Sequence, residues 1–341
     1  GFYLPFKQDY TVEGFSTVIY KGNGVDNTYI GGTGFKPDLV WLKSRSDVDH
    51  HYLQDSVRGA TKQLISTETG AETSYTNGVK SFENDGFTLG TSNWANENGQ
   101  TRVAWNWDMG GSNASNTEGN VTSTVRANAT YGQSIVSWQY TTAADNLVGH
   151  GLSSAPEMIL LKSRTTAYNW DVYHKDLSAA IKRLVLNSTA AEDTGFFDTT
   201  PTSTVFEYNT SGASNNDNMI AYCFHSVTGY SKFGKYTGNG NASGTSVTTG
   251  FEPAFVLVKG LSGDMTHKHW TIRDNTRSPN NDRTKGLHAN KNEAEFDASN
   301  NAMAFSSTGF QLKGTDPGIN ENNIEYIYMA FADTREYAYW L

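Results

Sequence analysis

The segment GFKPDLVWLKSR, Gly34 to Arg45, decides the reading of this chain, because it returns twice. Its second occurrence is GLSSAPEMILLKSR, Gly151 to Arg164, and its third is GFEPAFVLVKG, Gly250 to Gly260. Each has a proline, a run of apolar residues and a closing lysine: Lys43, Lys162 and Lys259. Runs such as DLVWLK and EMILLK are apolar on both faces, which suits a strand in the middle of a sandwich.

The match extends outward in one order. Upstream lie STVIYKGNG (Ser16 to Gly24), SIVSWQYTT (Ser134 to Thr142) and SKFGKYTGNG (Ser231 to Gly240). Downstream come an aromatic and an acidic residue: Tyr52 with Asp55, Trp170 with Asp171, Trp270 with Asp274. Three related segments then end at Glu72, Glu192 and Glu295. The last block matches Val103-Ala104-Trp105 with Ile220-Ala221-Tyr222 and Met329-Ala330-Phe331. Pro37, Pro156 and Pro253 stand 119 and 97 residues apart, a domain-sized period rather than that of a solenoid.

These blocks imply an all-β chain of three tandem β-sandwich domains at residues 14–112, 134–229 and 230–341. Residues 1–13 read as the end of an upstream segment. Residues 113–133, rich in Gly, Asn, Ser and Thr, read as a linker. The second and third copies abut near Gly229, so a fixed angle is expected there and a looser one at the linker. The only helical expectation is a one-turn piece such as Leu177 to Leu184. Turn signals such as Asn84 to Gly86 and Ser307 to Gly309 punctuate the strands.

Composition agrees. Charged residues are 18% of the 341 residues, below the roughly 25% usual for soluble domains, and Gly, Asn, Thr and Ser fill the deficit. The net charge of −9 and the lack of a basic block argue against nucleic acid or an anionic membrane as partner. No apolar run approaches the ~18 residues of a spanning helix. A lone cysteine, Cys223, excludes an intrachain disulfide and reads as a buried structural thiol.

The repeats also test for chemistry, since a site that belongs to the fold should recur. Asp47, Asp49, His50 and His51 could bind a metal, but the second copy has Thr166, Ala167, Tyr168 and Asn169 there, so no metal site is assigned. Glycoside hydrolysis needs two carboxylates. Glu293, Glu295 and Asp297 alternate in the third copy alone, while Glu72, Glu192 and Glu295 supply one per copy, better suited to holding turns or neighbouring copies. There is no nucleophile elbow or phosphate loop. No catalytic residue, no enzyme activity and no cofactor is therefore expected. The recurring lysines are expected to snorkel to solvent. Trp41, Trp105, Trp107, Trp170 and Trp270 fall within strand patterns and read as core. Trp94 and Tyr168 lie outside the patterns and are the candidates for stacking on a sugar ring.

The blocks "GFKPDLVWLKSR…VKSFENDGFTLG…VAWNW" and "SIVSWQY…GHGLSSAPEMILLKSR…NWDVYH" resemble the tandem domains of large structural proteins of marine and cyanobacterial phages. The resemblance covers nearly the whole chain. It weakens in the third copy, which lacks the Lys-Ser-Arg end. It implies concanavalin-like, laminin-G-like jelly-roll modules and a location in the virion, as a tail fibre or appendage. It also implies assembly with other copies of the chain, commonly as a trimer, with other virion proteins, and contact with host surface glycans. A lectin-like module is the alternative, and a polysaccharide depolymerase the third reading.

Overall fold

The computed structural model describes residues 14–332 apart from 196, 211 and 212, so the expectation for residues 1–13 lies outside the described residues. The chain is all-β, with 45% strand and 4% helix. Its first copy holds β1 (Phe15–Lys21), β2 (Thr28–Gly31), β3 (Leu39–Ser44), β4 (His51–Asp55), β5 (Lys62–Ile65), β6 (Thr73–Ser74), β7 (Val79–Glu83), β8 (Gly86–Leu89) and β9 (Thr101–Trp107). Next come β10 (Ala114–Asn116), β11 (Ser123–Asn128), β12 (Gln133–Gln139), β13 (Leu147–Gly149), β14 (Met158–Ser163), β15 (Asp171–His174), β16 (Lys182–Val185), β17 (Asp193–Thr194), β18 (Val205–Glu207) and β19 (Asn218–Phe224). The third copy holds β20 (Ser231–Thr237), β21 (Ser243–Thr248), β22 (Pro253–Gly260), β23 (Thr271–Asp274), β24 (Lys285–His288), β25 (Phe296–Asp297), β26 (Ala302–Ser306), β27 (Gly309–Lys313) and β28 (Glu325–Ala332).

One large antiparallel sheet recurs: β1-β9-β3-β4-β5-β6, then β12-β19-β14-β15-β16-β17, then β20-β28-β22-β23-β24-β25. Each is faced by a small sheet, β2-β8-β7, β13-β18 or β21-β27-β26. Alternate residues of a strand point to opposite faces. Val40, Leu42, Tyr52 and Ala104 therefore meet Ile30, Val79, Phe87 and Leu89 of the small sheet in one core. Val136, Ile159 and Leu161 meet Val148 and Phe206 likewise, and Val256 and Val258 meet Val247 and Phe310.

The remaining face of each large sheet enters a single shared core. Leu39, Trp41, Trp105 and Trp107 join Met158, Leu160, Tyr222 and Phe224, and Phe255, Leu257, Met329 and Phe331. Trp107 lies 5.8 Å from Phe331 and 6.4 Å from Phe224 between ring centroids, and Phe224 lies 5.9 Å from Phe331. Hence β3 and β14 are buried along their whole length. One face is covered within the copy and the other by the other copies.

Several expectations are corrected here. The stretch read as a linker carries β10 and β11. β11 pairs with β12 from Ser123↔Trp138 to Asn128↔Gln133, extending the second large sheet to eight strands. Val125 supplies the apolar contact that the composition hid, packing into the second core. The looser angle expected at the linker does not hold, because all three copies share one core. Leu177 to Leu184 is no helix. It runs through bends and turns into β16, which pairs with β15. Among the described residues the one-turn helices are instead Asn93–Asn96 and Pro317–Asn320, with 3₁₀ turns at Met265–His267 and Ser299–Asn301. In the third copy the last block slips by two. Lys259 pairs with Ile327, as Lys43 pairs with Val103 and Lys162 with Ile220, so Ile327-Tyr328-Met329 is the equivalent triplet. A two-residue slip keeps every side chain on its face, which is why the pattern did not reveal it.

Candidate functional site: the seams between copies

Side chains that recur converge where copies meet. Trp170 Nε1 donates to the Ile65 carbonyl of the first copy at 2.8 Å, and Trp270 Nε1 donates to the Val185 carbonyl of the second at 3.0 Å. The cycle closes where Ser66 Oγ of the first copy donates to the Ala289 carbonyl of the third at 2.6 Å. The second copy thus meets the first, the third meets the second, and the first meets the third.

The seam between first and third copies holds a charged clasp. Arg45 grips Glu295 with two bonds, Nη2 to Oε1 at 2.9 Å and Nε to Oε2 at 3.0 Å. Arg277 Nη1 donates to Glu295 Oε2 at 3.0 Å, and its Nε donates to Asp274. Trp105 Nε1 of the first copy donates to Asp274 Oδ2 at 3.0 Å. The Glu295 N–H donates to the Arg45 carbonyl at 2.8 Å. The seam between second and first copies repeats this. Arg164 grips Glu72 at 2.9 and 3.0 Å, Arg58 donates to Glu72 at 3.3 Å and to Asp55, and Tyr222 donates to Asp55 at 2.7 Å. Burial alone would lower the Arg58 guanidinium, but Asp55, Tyr222 and Glu72 outweigh it and hold the group charged, above its ordinary value.

The seam between third and second copies is different. His174 occupies the place of Asp55 and Asp274, since it pairs with Met158 as they pair with Leu39 and Phe255. Leu177 then stands for Arg58 and Arg277, and Leu261 stands for Arg45 and Arg164. Both leucines are 8% exposed and belong to the shared core. Met329, whose side chain has no N–H or O–H donor, stands for Trp105 and Tyr222. Glu192 accepts from the Ser178 N–H of its own copy at 3.0 Å.

The lysines do not snorkel. Lys43, Lys162 and Lys259 are each 0% exposed. Lys259 Nζ donates to the Thr189 and Ala190 carbonyls of the second copy, both at 3.0 Å, and to the Gly260 carbonyl at 2.7 Å. Lys43 Nζ reaches the Ser44 carbonyl at 2.8 Å and the Asn292 carbonyl of the third copy at 3.4 Å. Lys162 Nζ donates to the Ser163 carbonyl at 2.9 Å. Burial lowers the three ammonium groups, to about 8 for Lys43 and Lys162 and to about 7 for Lys259.

The two aromatic candidates lie in different settings. Trp94 is 9% exposed, and its ring is stacked on Tyr52 at 4.1 Å inside the first sandwich, so that face is taken. Tyr168 is half-buried beside a seam, its N–H donating to the Thr69 carbonyl of the first copy at 2.8 Å and its hydroxyl bonded by Arg183. The Asp/His cluster is dispersed. His51 is fully buried and accepts from Trp41 Nε1 at 2.9 Å, His50 meets Thr67 and Glu68, and Asp49 accepts from the Tyr52 hydroxyl. Among the described residues no group of three or more His, Cys, Asp or Glu is placed to hold a metal ion. Cys223 is buried, and burial pushes its thiol well up.

Sequence reasoning missed Arg58 and Arg277. The signal was present as Asp-x-x-Arg in the first and third copies, at Asp55 to Arg58 and Asp274 to Arg277. The Asp-x-x-Arg pair is absent from the second copy and the Lys-Ser-Arg end from the third.

The fold and its seams define a repeat protein of β-sandwich character, whose recurring polar groups bond copy to copy. The chain belongs to the family described as a domain of unknown function (DUF7483), whose profile matches residues 11–335. No curated protein and no solved structure matches the chain significantly. No helix among the described residues is long and apolar enough to cross a membrane.

Proposed function

We propose that the chain is a structural component of a virion, a tail-fibre or appendage segment that builds architecture and meets the host surface. One observation carries the reading. The groups that recur from copy to copy, the lysines 43, 162 and 259 and the glutamates 72 and 295, are spent on bonds within and between copies. A side chain held by such bonds is positioned to join surfaces rather than to transfer protons to a substrate. The resemblance of the repeat blocks to phage structural proteins supplies the virion.

In this reading each copy is a jelly-roll domain of concanavalin-like form, at residues 14–112, 134–229 and 230–341, the second prolonged toward its N-terminus by β10 and β11. The protein is no enzyme and works without a cofactor. It resides in the extracellular particle. Its partners are other copies of itself, other virion proteins and host surface glycans, without nucleic acid or membrane insertion.

Antibody labelling of intact particles tests this. Label on a tail fibre or appendage is expected. A chain missing from purified particles but abundant in the infected lysate overturns the proposal, as does release of reducing ends from host envelope polysaccharide by the purified chain.

A further inference from the structure

Four charged positions make up the clasp at two of the three seams. On one side stand an Asp, an Arg three residues later and a Glu, as in Asp55, Arg58 and Glu72 or Asp274, Arg277 and Glu295. On the other side stands the Arg that ends the Lys-Ser-Arg motif, Arg164 or Arg45. The two carboxylates and two guanidiniums balance. Arg58 and Arg277 side chains are 0% exposed, so the loss of one partner would leave an uncompensated charge out of water.

The three copies differ in which half they carry. The first has both: the acceptor half in Asp55, Arg58 and Glu72, and the donor in Arg45. The second has the donor, Arg164, but of the acceptor half it keeps only Glu192, which is turned to its own Ser178 N–H, and shows His174 and Leu177 where the Asp and Arg would be. The third has only the acceptor half and shows Leu261 in place of the donor. The two defective halves face each other, because Lys259 and Trp270 of the third copy bond to Ala190 and Val185 of the second. Leu177 and Leu261 both enter the shared apolar core. Their coincidence at one seam is what a matched interface requires.

The third and second copies are consecutive in the chain and joined by the short turn at Val227 to Ser231. The second and first copies are also consecutive, through β10 and β11, yet their seam carries the full clasp, as does that of the first and third copies, which have no direct chain connection.

We propose that the clasp is a neighbour code: it decides which faces of the copies can stand side by side, and its two arginines and its aspartate must be present or absent together. Arg45, Asp274, Arg277 and Glu295 select the contact that closes the first copy onto the third. The first copy, carrying both halves, is the one whose two seam faces fit each other.

The test uses the full chain. Arg45→Leu, Asp274→His and Arg277→Leu are made singly and then together, so that the triple variant gives the first–third seam the Leu, His and Leu of the third–second seam, with Trp105 unchanged. The expected result is that Arg45→Leu and Arg277→Leu each lower the melting temperature by several degrees, and that the triple variant melts above the worse of the two. Should Arg277→Leu be insoluble, a soluble and cooperatively melting triple variant is the same result. The reverse exchange at the other seam supplies an independent arm: Leu177→Arg alone lowers the melting temperature, and His174→Asp, Leu177→Arg and Leu261→Arg together recover part of the loss. A first–third triple variant that is insoluble, or melts no higher than the worse single, overturns the proposal. Single variants that melt with the parent chain overturn it too.

Discussion

Lys43, Lys162 and Lys259 hold their protons against burial, and the sign of that effect is measurable. Their values in the folded chain, about 8, 8 and 7, lie below the ordinary lysine value near 10.4. From about pH 7 for Lys259, and from about pH 8 for Lys43 and Lys162, up to about pH 10 the unfolded chain keeps protons that the folded chain has released, so stability rises with pH in this window. Lys162→Met should flatten the rise in melting temperature between pH 7 and pH 9.5; an unchanged slope would show that the lysine is not the source. The histidines act at the acid end. Burial lowers His174 to about 3 and His288 to about 2. Their contribution is complete above pH 6.5 and is lost as pH falls, because only the unfolded chain takes the proton. At pH 5 each would cost about 2 kcal/mol. The variant His174→Met should lose less stability than the parent chain between pH 7 and pH 5, as read by urea unfolding at the two pH values. In the clasp, Tyr222→Phe removes the bond donated to Asp55 and the one accepted from Arg58, and should cost about 2–3 kcal/mol. By contrast Arg58→Ala leaves the buried Asp55 without a cationic partner, while Glu72 keeps Arg164, and it should cost about 3–5 kcal/mol in the same assay.

At the scale of the strand, β11 is the element that composition concealed. Ser123 to Asn128 holds one apolar residue of consequence, Val125, and its order comes from six backbone pairings with β12. Amides of residues 123–128 that pair with β12 should therefore exchange with deuterium far more slowly than those of residues 111–113, as mass spectrometry of the exchanging chain would show. Gly86 makes the opposite case, a turn signal read correctly for a reason the sequence could not supply. Its φ is +146°, and a Cβ there would lie 1.9 Å from the Ile30 carbonyl oxygen across the β2–β8 pair. The substitution Gly86→Ala thus strains the backbone and forces two paired strands apart, and it should lower the melting temperature. The strand-scale reading of β3, β14 and β22 was legible because a run apolar on both faces must be covered twice. What covers the second face was not written there.

For the molecule as a whole, three copies around one core should behave as a single body. Scattering from the full chain should give a radius of gyration of roughly 20 Å, the compact value for its length, and beads on a flexible string would be larger. Calorimetry should show one main transition, since melting one copy strips the shared core of the other two. By itself the sequence determined that the chain is all-β, that it repeats three times, and that the central strand of each repeat is apolar on both sides. It did so because strand patterning has a period of two and because turn residues mark the ends. Only the tertiary structure decided that the second apolar face meets the other copies, that the lysines are buried under carbonyls and that the presumed linker is two strands. The matching of clasp to clasp was also settled there. The physical reason is that a side chain records the polarity of the surface that covers it and carries no record of which part of the chain supplies that surface. Arg45 calls for an acid, and nothing in its neighbourhood names Glu295, 250 residues away.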